Sequence, residues 1–202
     1  MLESDLTHYQ RNLPHWLPPG ETIFVTFRLA GTLPRAVVEN LQAEWAMLDK
    51  RRDLADDKYT AQKRYFGRYD ALLDGATTGP TWLRVSAVAQ VVETAVRRYH
   101  EQAAYHLQCY CLMPNHVHLL VTTPELGPPL ARTLQHLKGY TAQKANAVLG
   151  RSGKFWHRES YDHIVRNAVE LARITSYVLE NLVKAGLVAE WQQWPHTYWN
   201  EP

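Results

Sequence analysis

Cysteine is nearly missing from this 202-residue chain, which has two, Cys109 and Cys111. Two positions apart on a predicted strand, they are too close in sequence to tie distant segments together, so disulfides do not hold this fold. Charge of one sign is also lacking: 22 Lys and Arg stand against 20 Asp and Glu, a net +2 that does not by itself argue for nucleic acid. No apolar run approaches the length of a membrane span. The start, Met1-Leu2-Glu3-Ser4-Asp5, has no basic region followed by an apolar stretch, so a cytoplasmic location with no membrane partner is expected. There is no internal repeat and no low-complexity tract. With 46% hydrophobic against 21% charged residues, the composition is that of an ordinary soluble globular protein, and the length fits one domain with a full core.

The small net charge hides an uneven distribution. Between Pro129 and Leu187 nine Lys or Arg face four Asp or Glu, a local +5, whereas residues 1 to 128 carry thirteen against fourteen. Lys138, Lys144, Arg151, Lys154, Arg158 and Arg166 lie in the basic part, with Phe155, Trp156 and Tyr161 among them. Cations interleaved with aromatics suit phosphate contacts and base stacking on single-stranded nucleic acid, so these six are the candidate nucleic-acid-binding residues. A solvated charged face is the plain alternative.

The most informative stretch is Asn115-His116-Val117-His118-Leu119-Leu120-Val121, after the turn-like Met113-Pro114. Side chains on a strand alternate, so His116 and His118 share one face while Val117, Leu119 and Val121 share the other. Two imidazoles held side by side on a rigid element suit a divalent metal. Cys109-Tyr110-Cys111 offers a competing arrangement, a Cys₂His₂ zinc site across a hairpin.

Around this strand the chain reads as mixed α and β. An extended entry with paired prolines runs from His8 to Gly20. A buried strand over Glu21 to Leu29 follows, then a helix or broken pair from Arg35 to Leu73 carrying Val37, Val38, Leu41, Trp45 and Leu48. A second helix spans Ser86 to Tyr99 with Val88, Val91, Val92 and Val96 on its stripe. A strand from Ala104 to Leu112 forms a hairpin with the histidine strand. A helix from Pro128-Pro129 to Leu149, a basic loop at 150–154 and an aromatic segment leading into a fourth strand come next. The last helix starts at Asn167, which can cap it with Glu170 in a capping-box arrangement, and runs to Lys184 before an Ala185-Gly186 stop. This order predicts an α+β fold, an antiparallel sheet with helices on its faces. The aromatic tail, 188–202, is expected to cover the sheet.

On the last helix Leu171, Ile174, Val178 and Leu182 form one stripe, and Tyr177 and Asn181, four apart, sit beside it. If that helix packs on the histidine strand, two imidazoles and an amide oxygen surround a metal with a phenol alongside. Such a nitrogen and oxygen set with open positions suits Mg²⁺ or Mn²⁺ bound through phosphate. Tyr177 could then attack a phosphodiester, and because a phenolate is a good leaving group the step could be reversed without ATP. Tyr140, on the basic helix, is the second candidate nucleophile and Tyr161 a third; an amphipathic tyrosine at a core edge is the plain alternative for Tyr177.

Four separated motifs, Arg11-Asn12-Leu13-Pro14-His15-Trp16, Met113 to Leu120, Phe155-Trp156-His157-Arg158-Glu159-Ser160-Tyr161-Asp162-His163, and Tyr177 to Leu187, resemble in order and spacing the REP-associated tyrosine transposases, of the single-tyrosine HUH endonuclease superfamily. The resemblance implies a ferredoxin-like antiparallel sheet flanked by helices, and a metal-dependent endonuclease and strand transferase acting on hairpin-forming single-stranded DNA through a 5′-phosphotyrosine. It implies His116 and His118 as the histidine pair, Tyr177 as nucleophile and Asn181 as the amide ligand, in a single catalytic domain with a helical insertion at about 49–80. It leaves monomer or homodimer open. Leu182 stands where the family usually has proline, which is expected to lengthen the helix and shift Asn181. A catalytically silent DNA-binding protein and a phosphodiester hydrolase that uses water are the competing functional readings.

Overall fold

The computed structural model describes residues 8–10, 14–50, 55–76 and 78–201. Residues 1 to 7, Arg11 to Leu13 of the first motif, and the side chain of Leu48 lie outside what is described. β1 (His8–Gln10) and β2 (Pro14–Trp16) pair as a separate two-stranded ribbon. Then come β3 (Thr22–Leu29), α1 (Arg35–Lys50), α2 (Ala55–Asp74), α3 (Ser86–Glu101), β4 (His106–Leu112), β5 (His116–Thr122), α4 (Leu130–Val148), β6 (Trp156–Ile164), α5 (Ala168–Lys184) and β7 (Thr197–Trp199). The long polar stretch after Arg35 is thus a pair of helices.

The main sheet runs β6-β3-β5-β4-β7, with every neighbouring pair antiparallel. Its first four strands make the split β-α-β arrangement of ferredoxin-like folds: β5 lies between β3 and β4, and β3 lies between β5 and β6. The α+β expectation is met. Strand β3 is an interior strand covered on both sides, which is why Ile23 to Leu29 is a continuous buried run.

The two faces have different partners. Ile23, Val25, Phe27, Val117, Leu119 and Val121 face α3 and α4, meeting Val88, Val92, Leu134 and Leu137. Phe24, Cys109, Cys111 and Leu120 face the other way and meet Leu41 and Trp45 of α1, Leu73 of α2, and Val178 and Leu182 of α5. By strand parity His116 and His118 belong to this second face, which α1, α2 and α5 roof over.

Helix α5 is held at both ends as its sequence suggests. Asn167 accepts a hydrogen bond from the Glu170 amide at 2.9 Å, while the Glu170 carboxylate takes the Arg166 amide, one residue earlier than in a regular capping box. Gly186 adopts φ +66°, and the bonds Leu187 N to Leu182 O and Gly186 N to Val183 O close a Schellman stop. Because Leu182 keeps the amide and side-chain space that proline would alter, the helix continues through Asn181 to Lys184.

The aromatic tail does more than cover the sheet. Trp194 packs on the second core and donates to the Leu112 carbonyl at 2.9 Å, and β7 then adds an edge strand to β4. The tail is held through Glu93 of α3, which accepts from Tyr110 at 2.5 Å and lies 3.3 Å from His196 and 3.2 Å from Arg97. Burial alone would raise the Glu93 carboxyl, but hydrogen bonds from Tyr110, His196 and Arg97 hold it below its usual range. Among the described residues no helix is long and apolar enough to cross a membrane.

Tyr110→Phe should cost about 1–2 kcal/mol in urea unfolding at pH 7. A carboxylate held low contributes stability above its ordinary pKa and loses it as pH falls through the lowered value. The difference between wild type and variant should therefore shrink on acidification below the carboxylate range.

Candidate metal centre and its comparison with known proteins

Three elements converge beneath the roof of the second face. Strand β5 presents His116 and His118, α2 presents Asp70 and Asp74 one turn apart, and α5 presents Tyr177 and Asn181 one turn apart. Both histidines are fully buried, Asp70 and Asn181 nearly so. The His116 and His118 Nε2 atoms lie 3.0 Å apart. Asp70 Oδ1 is 3.4 Å from His118 Nε2 and 3.9 Å from His116 Nε2, and Asp74 Oδ1 is 3.9 Å from His116 Nε2. Asn181 Nδ2 is 2.8 Å from His118 Nε2, and the Tyr177 hydroxyl is hydrogen-bonded to Asp70 Oδ2.

The outer hydrogen bonds fix which imidazole nitrogens are bare. His116 Nδ1 lies 2.6 Å from the Asn115 side-chain oxygen, which can only accept, so Nδ1 carries the hydrogen and Nε2 a lone pair. His118 Nε2 receives the Asn181 amide, so its Nδ1 donates to Thr26 Oγ1 at 2.8 Å. Two unprotonated nitrogens therefore face each other, that of His118 also receiving the Asn181 amide. A proton does not resolve this, because burial drives His118 down to about 3, and burial with the neighbouring ring drives His116 well below 6.5.

The acids carry the complementary strain. Burial, reinforced by Asp74, raises Asp70 to about 8 against a counter-pull from Lys184, and burial raises Asp74 to about 6 against Lys184 and Asn181. Asp70 Oδ1, Asp74 Oδ1 and Asn181 Oδ1 are buried without a hydrogen-bond partner. Asp70, His116 and His118 each offer one donor atom, all within 4.8 Å of one another. These donors fit a metal ion. Cis ligands at about 2.1 Å from one ion stand about 3.0 Å apart, the imidazole spacing seen here, and a divalent charge relieves both the facing lone pairs and the buried carboxylate.

The structure sorts the residues picked out by sequence. His116, His118, Tyr177 and Asn181 come together, with the Tyr177 and His118 rings 5.6 Å apart. Leu182 does not carry Asn181 away from the histidines. Tyr140 is on α4, against the opposite face of the sheet, and is 41% exposed. Cys109 and Cys111 lie on the histidine face as free buried thiols pushed up by burial, and the metal-competent group is completed by Asp70 instead. His163 is hydrogen-bonded to Glu170 at 3.1 Å.

The basic residues divide. Lys138, Lys154 and Arg158 line a groove of about 320 Å³ between α4 and the start of β6, where Lys138 Nζ also meets the Arg158 carbonyl at 3.1 Å and Ser160 at 3.2 Å. Lys144 is exposed further along α4, and Arg151 stacks over Trp82 at 3.9 Å. Arg166 stands apart, beyond the far end of β6. Asp70 and Asp74 are site residues that sequence reasoning missed, and Asp70 is the one that completes the metal-competent group. Its signal was an acid on the otherwise aromatic and aliphatic stripe of Tyr65, Phe66, Tyr69 and Leu73, easily lost in a helix of mixed charge.

Mn²⁺ at about one hundred times its dissociation constant should stabilise the protein by about 2.7 kcal/mol, a rise of roughly 5–10 °C in Tm. Asp70→Asn and His118→Ala should each abolish the rise in differential scanning fluorimetry. A carboxyl raised to about 8 withdraws stability as pH climbs from its unfolded value toward that point, so Asp70→Asn should not destabilise the metal-free protein at pH 7.

With the geometry in place, comparisons with known proteins bear on its meaning. Over 113 residues the chain is 27% identical to a Haemophilus influenzae protein named "Putative REP-associated tyrosine transposase", covering 52% of this chain and 64% of that relative's length. A solved REP-associated tyrosine transposase bound to a REP hairpin matches with a TM-score of 0.56 over 94% of this chain and 80% of its own, at 16% identity, a likeness of fold. The family model for IS200-like transposases matches residues 81–181, which take in the histidine strand, Tyr177 and Asn181 but not Asp70 of α2; the chain belongs to the IS200-like transposase family.

Proposed function

We propose that the protein is a metal-dependent endonuclease and strand transferase acting on hairpin-forming single-stranded DNA, with Tyr177 as nucleophile. The observation that carries this reading is the convergence of the Tyr177 hydroxyl, the Asp70 carboxylate and the two unprotonated imidazole nitrogens in one buried pocket. His116, His118 and Asp70 would hold Mg²⁺ or Mn²⁺, with Asn181 joining when its amide turns over to present the unpartnered Oδ1. The bound ion would polarise the scissile phosphate and offset the negative charge that develops on it.

The chain's own groups account for the remaining steps. Asp70 Oδ2 is placed to accept the phenol proton as the Tyr177 oxygen attacks phosphorus. The Tyr177 O–P bond forms, the P–O3′ bond breaks, and the departing oxygen takes up a proton to become a 3′-hydroxyl. The product is a 5′-phosphotyrosine. A 3′-hydroxyl attacking that link rejoins DNA and returns the phenol, with no external energy source, because the phenolate is a good leaving group. Lys184, 5.0 Å from the Tyr177 ring centre, favours the phenolate that develops and is regenerated.

Hairpin DNA as substrate rests on the family and on the relative whose structure holds a REP hairpin. The Lys138, Lys154 and Arg158 groove, bordered by Trp156, offers phosphate contacts for it. It lies on the α4 side of the sheet and the metal centre on the α5 side, so one DNA must wrap the β6 edge to use both, or two copies of the chain must share it.

Incubation of hairpin-forming single-stranded oligonucleotides with Mn²⁺ should give a covalent adduct on denaturing gels, mapped by mass spectrometry to the Tyr177 peptide. Tyr177→Phe should abolish it and Tyr140→Phe should keep it. Cleavage without any adduct would overturn the reading in favour of water as nucleophile. Lys154→Gln and Arg158→Gln together should weaken hairpin binding and reduce the slope of log K against log salt by about one to two.

A further inference from the structure

Beside Tyr177 lies a cavity that the metal centre does not use. It measures about 190 Å³, several times the roughly 30 Å³ share of one water. Its walls are rings: Phe24 from β3, Phe66 from α2, Tyr161 from β6 and Tyr177 itself. Phe66 stacks on Tyr161 with centroids 4.3 Å apart and meets Phe24 edge-on at 5.3 Å and Tyr177 at 5.8 Å. Two cations line the same cavity and reach solvent: Lys63 of α2, whose Nζ lies 3.5 Å from the Glu170 carboxylate, and Arg173 of α5. On its polar side His163 and Glu170 form a donor and acceptor pair at 3.1 Å.

We propose that this cavity takes one unstacked nucleobase of single-stranded DNA, that of a nucleotide adjoining the phosphate attacked by Tyr177; the proposal rests on the function above. Four aromatic walls favour a flat π-system over an aliphatic side chain, and base stacking on such rings is the usual source of single-strand affinity. The two cations at the opening match the phosphates on either side of an inserted base. Because Tyr177 is itself a wall, whatever enters lies within about one nucleotide of the reacting oxygen. Phe66 and Lys63 both come from α2, so the helix that supplies Asp70 also builds this subsite, and the stretch between α1 and α3 gains a role in choosing where the strand is cut.

The test uses the full chain and a hairpin-forming oligonucleotide that gives the Tyr177 adduct. Nucleotides around the mapped cleavage point are replaced one at a time by an abasic residue, and binding is read by fluorescence anisotropy. Wild type should lose about 5- to 100-fold in affinity at one position. In Phe66→Leu, which keeps apolar volume but removes the ring, normal DNA should bind correspondingly less well and that abasic position should carry no further penalty. Thermal melting verifies that the variant is folded, and Lys63→Gln, at the opening, should weaken binding without erasing the abasic penalty. An abasic series with no penalised position, or a penalty undiminished in Phe66→Leu, overturns the base pocket while an intact adduct leaves the nuclease standing. No adduct from wild type with any hairpin oligonucleotide overturns both.

Discussion

Two unprotonated imidazole nitrogens facing each other 3.0 Å apart in a fully buried position is an arrangement that a protein without a cation has reason to avoid. The rest of the centre follows from it. Burial under α2 and α5 makes protonation of either ring unfavourable, so positive charge must come from outside, and a carboxylate must be near to balance it. Asp70 supplies that charge, at its own cost of burial. The site is a set of incompletely satisfied groups whose strain a single bound ion would relieve, which is the electrostatic form of preorganisation.

The fold makes such a cluster affordable by separating its tasks. One face of the sheet packs mainly Val and Leu side chains onto α3 and α4, its few polar groups paired, as Trp156 is with Thr141 and Tyr110 with Glu93. The other face carries the histidines and is closed by helices that contribute aromatics, acids and the tyrosine. Strand alternation allows one strand, β5, to serve both, with Val117, Leu119 and Val121 on the first side and His116, His118 and Leu120 on the second. Thr26, opposite His118 on β3, and Asn115, just before the strand, then orient the rings from behind, as outer hydrogen bonds do for metal-binding histidines.

Helix α2 changes the reading of the stretch between α1 and α3. Its residues look like a polar spacer in sequence, yet they bring Asp70, Phe66 and Lys63 to the neighbourhood of Tyr177 and Asp74 to that of His116. Helix α5 does the complementary job from the other side. Its cap at Asn167 and its stop at Gly186 fix where the helix begins and ends, and hence at what height Tyr177 and Asn181 stand over β5.

Local pattern was enough to read a good part of this. Alternation along Asn115 to Val121 is a two-residue period, the Tyr177 and Asn181 spacing is a helical one, and neither needs tertiary context to place two side chains on one face. The β-branched run of β3, the capping Asn167 and the Ala185-Gly186 stop were legible for the same reason. Asp70 was not, because a carboxylate in a mixed-charge helix looks solvated until the sheet buries it. Nor were the edge strand β7, whose three residues are ordered by pairing with β4, the position of Tyr140 behind the sheet, or the capture of the histidines by an acid in place of the nearby cysteines. Those outcomes depend on which surfaces meet, and contacts between residues forty to a hundred positions apart are set by the packing of whole elements, which no window of sequence contains.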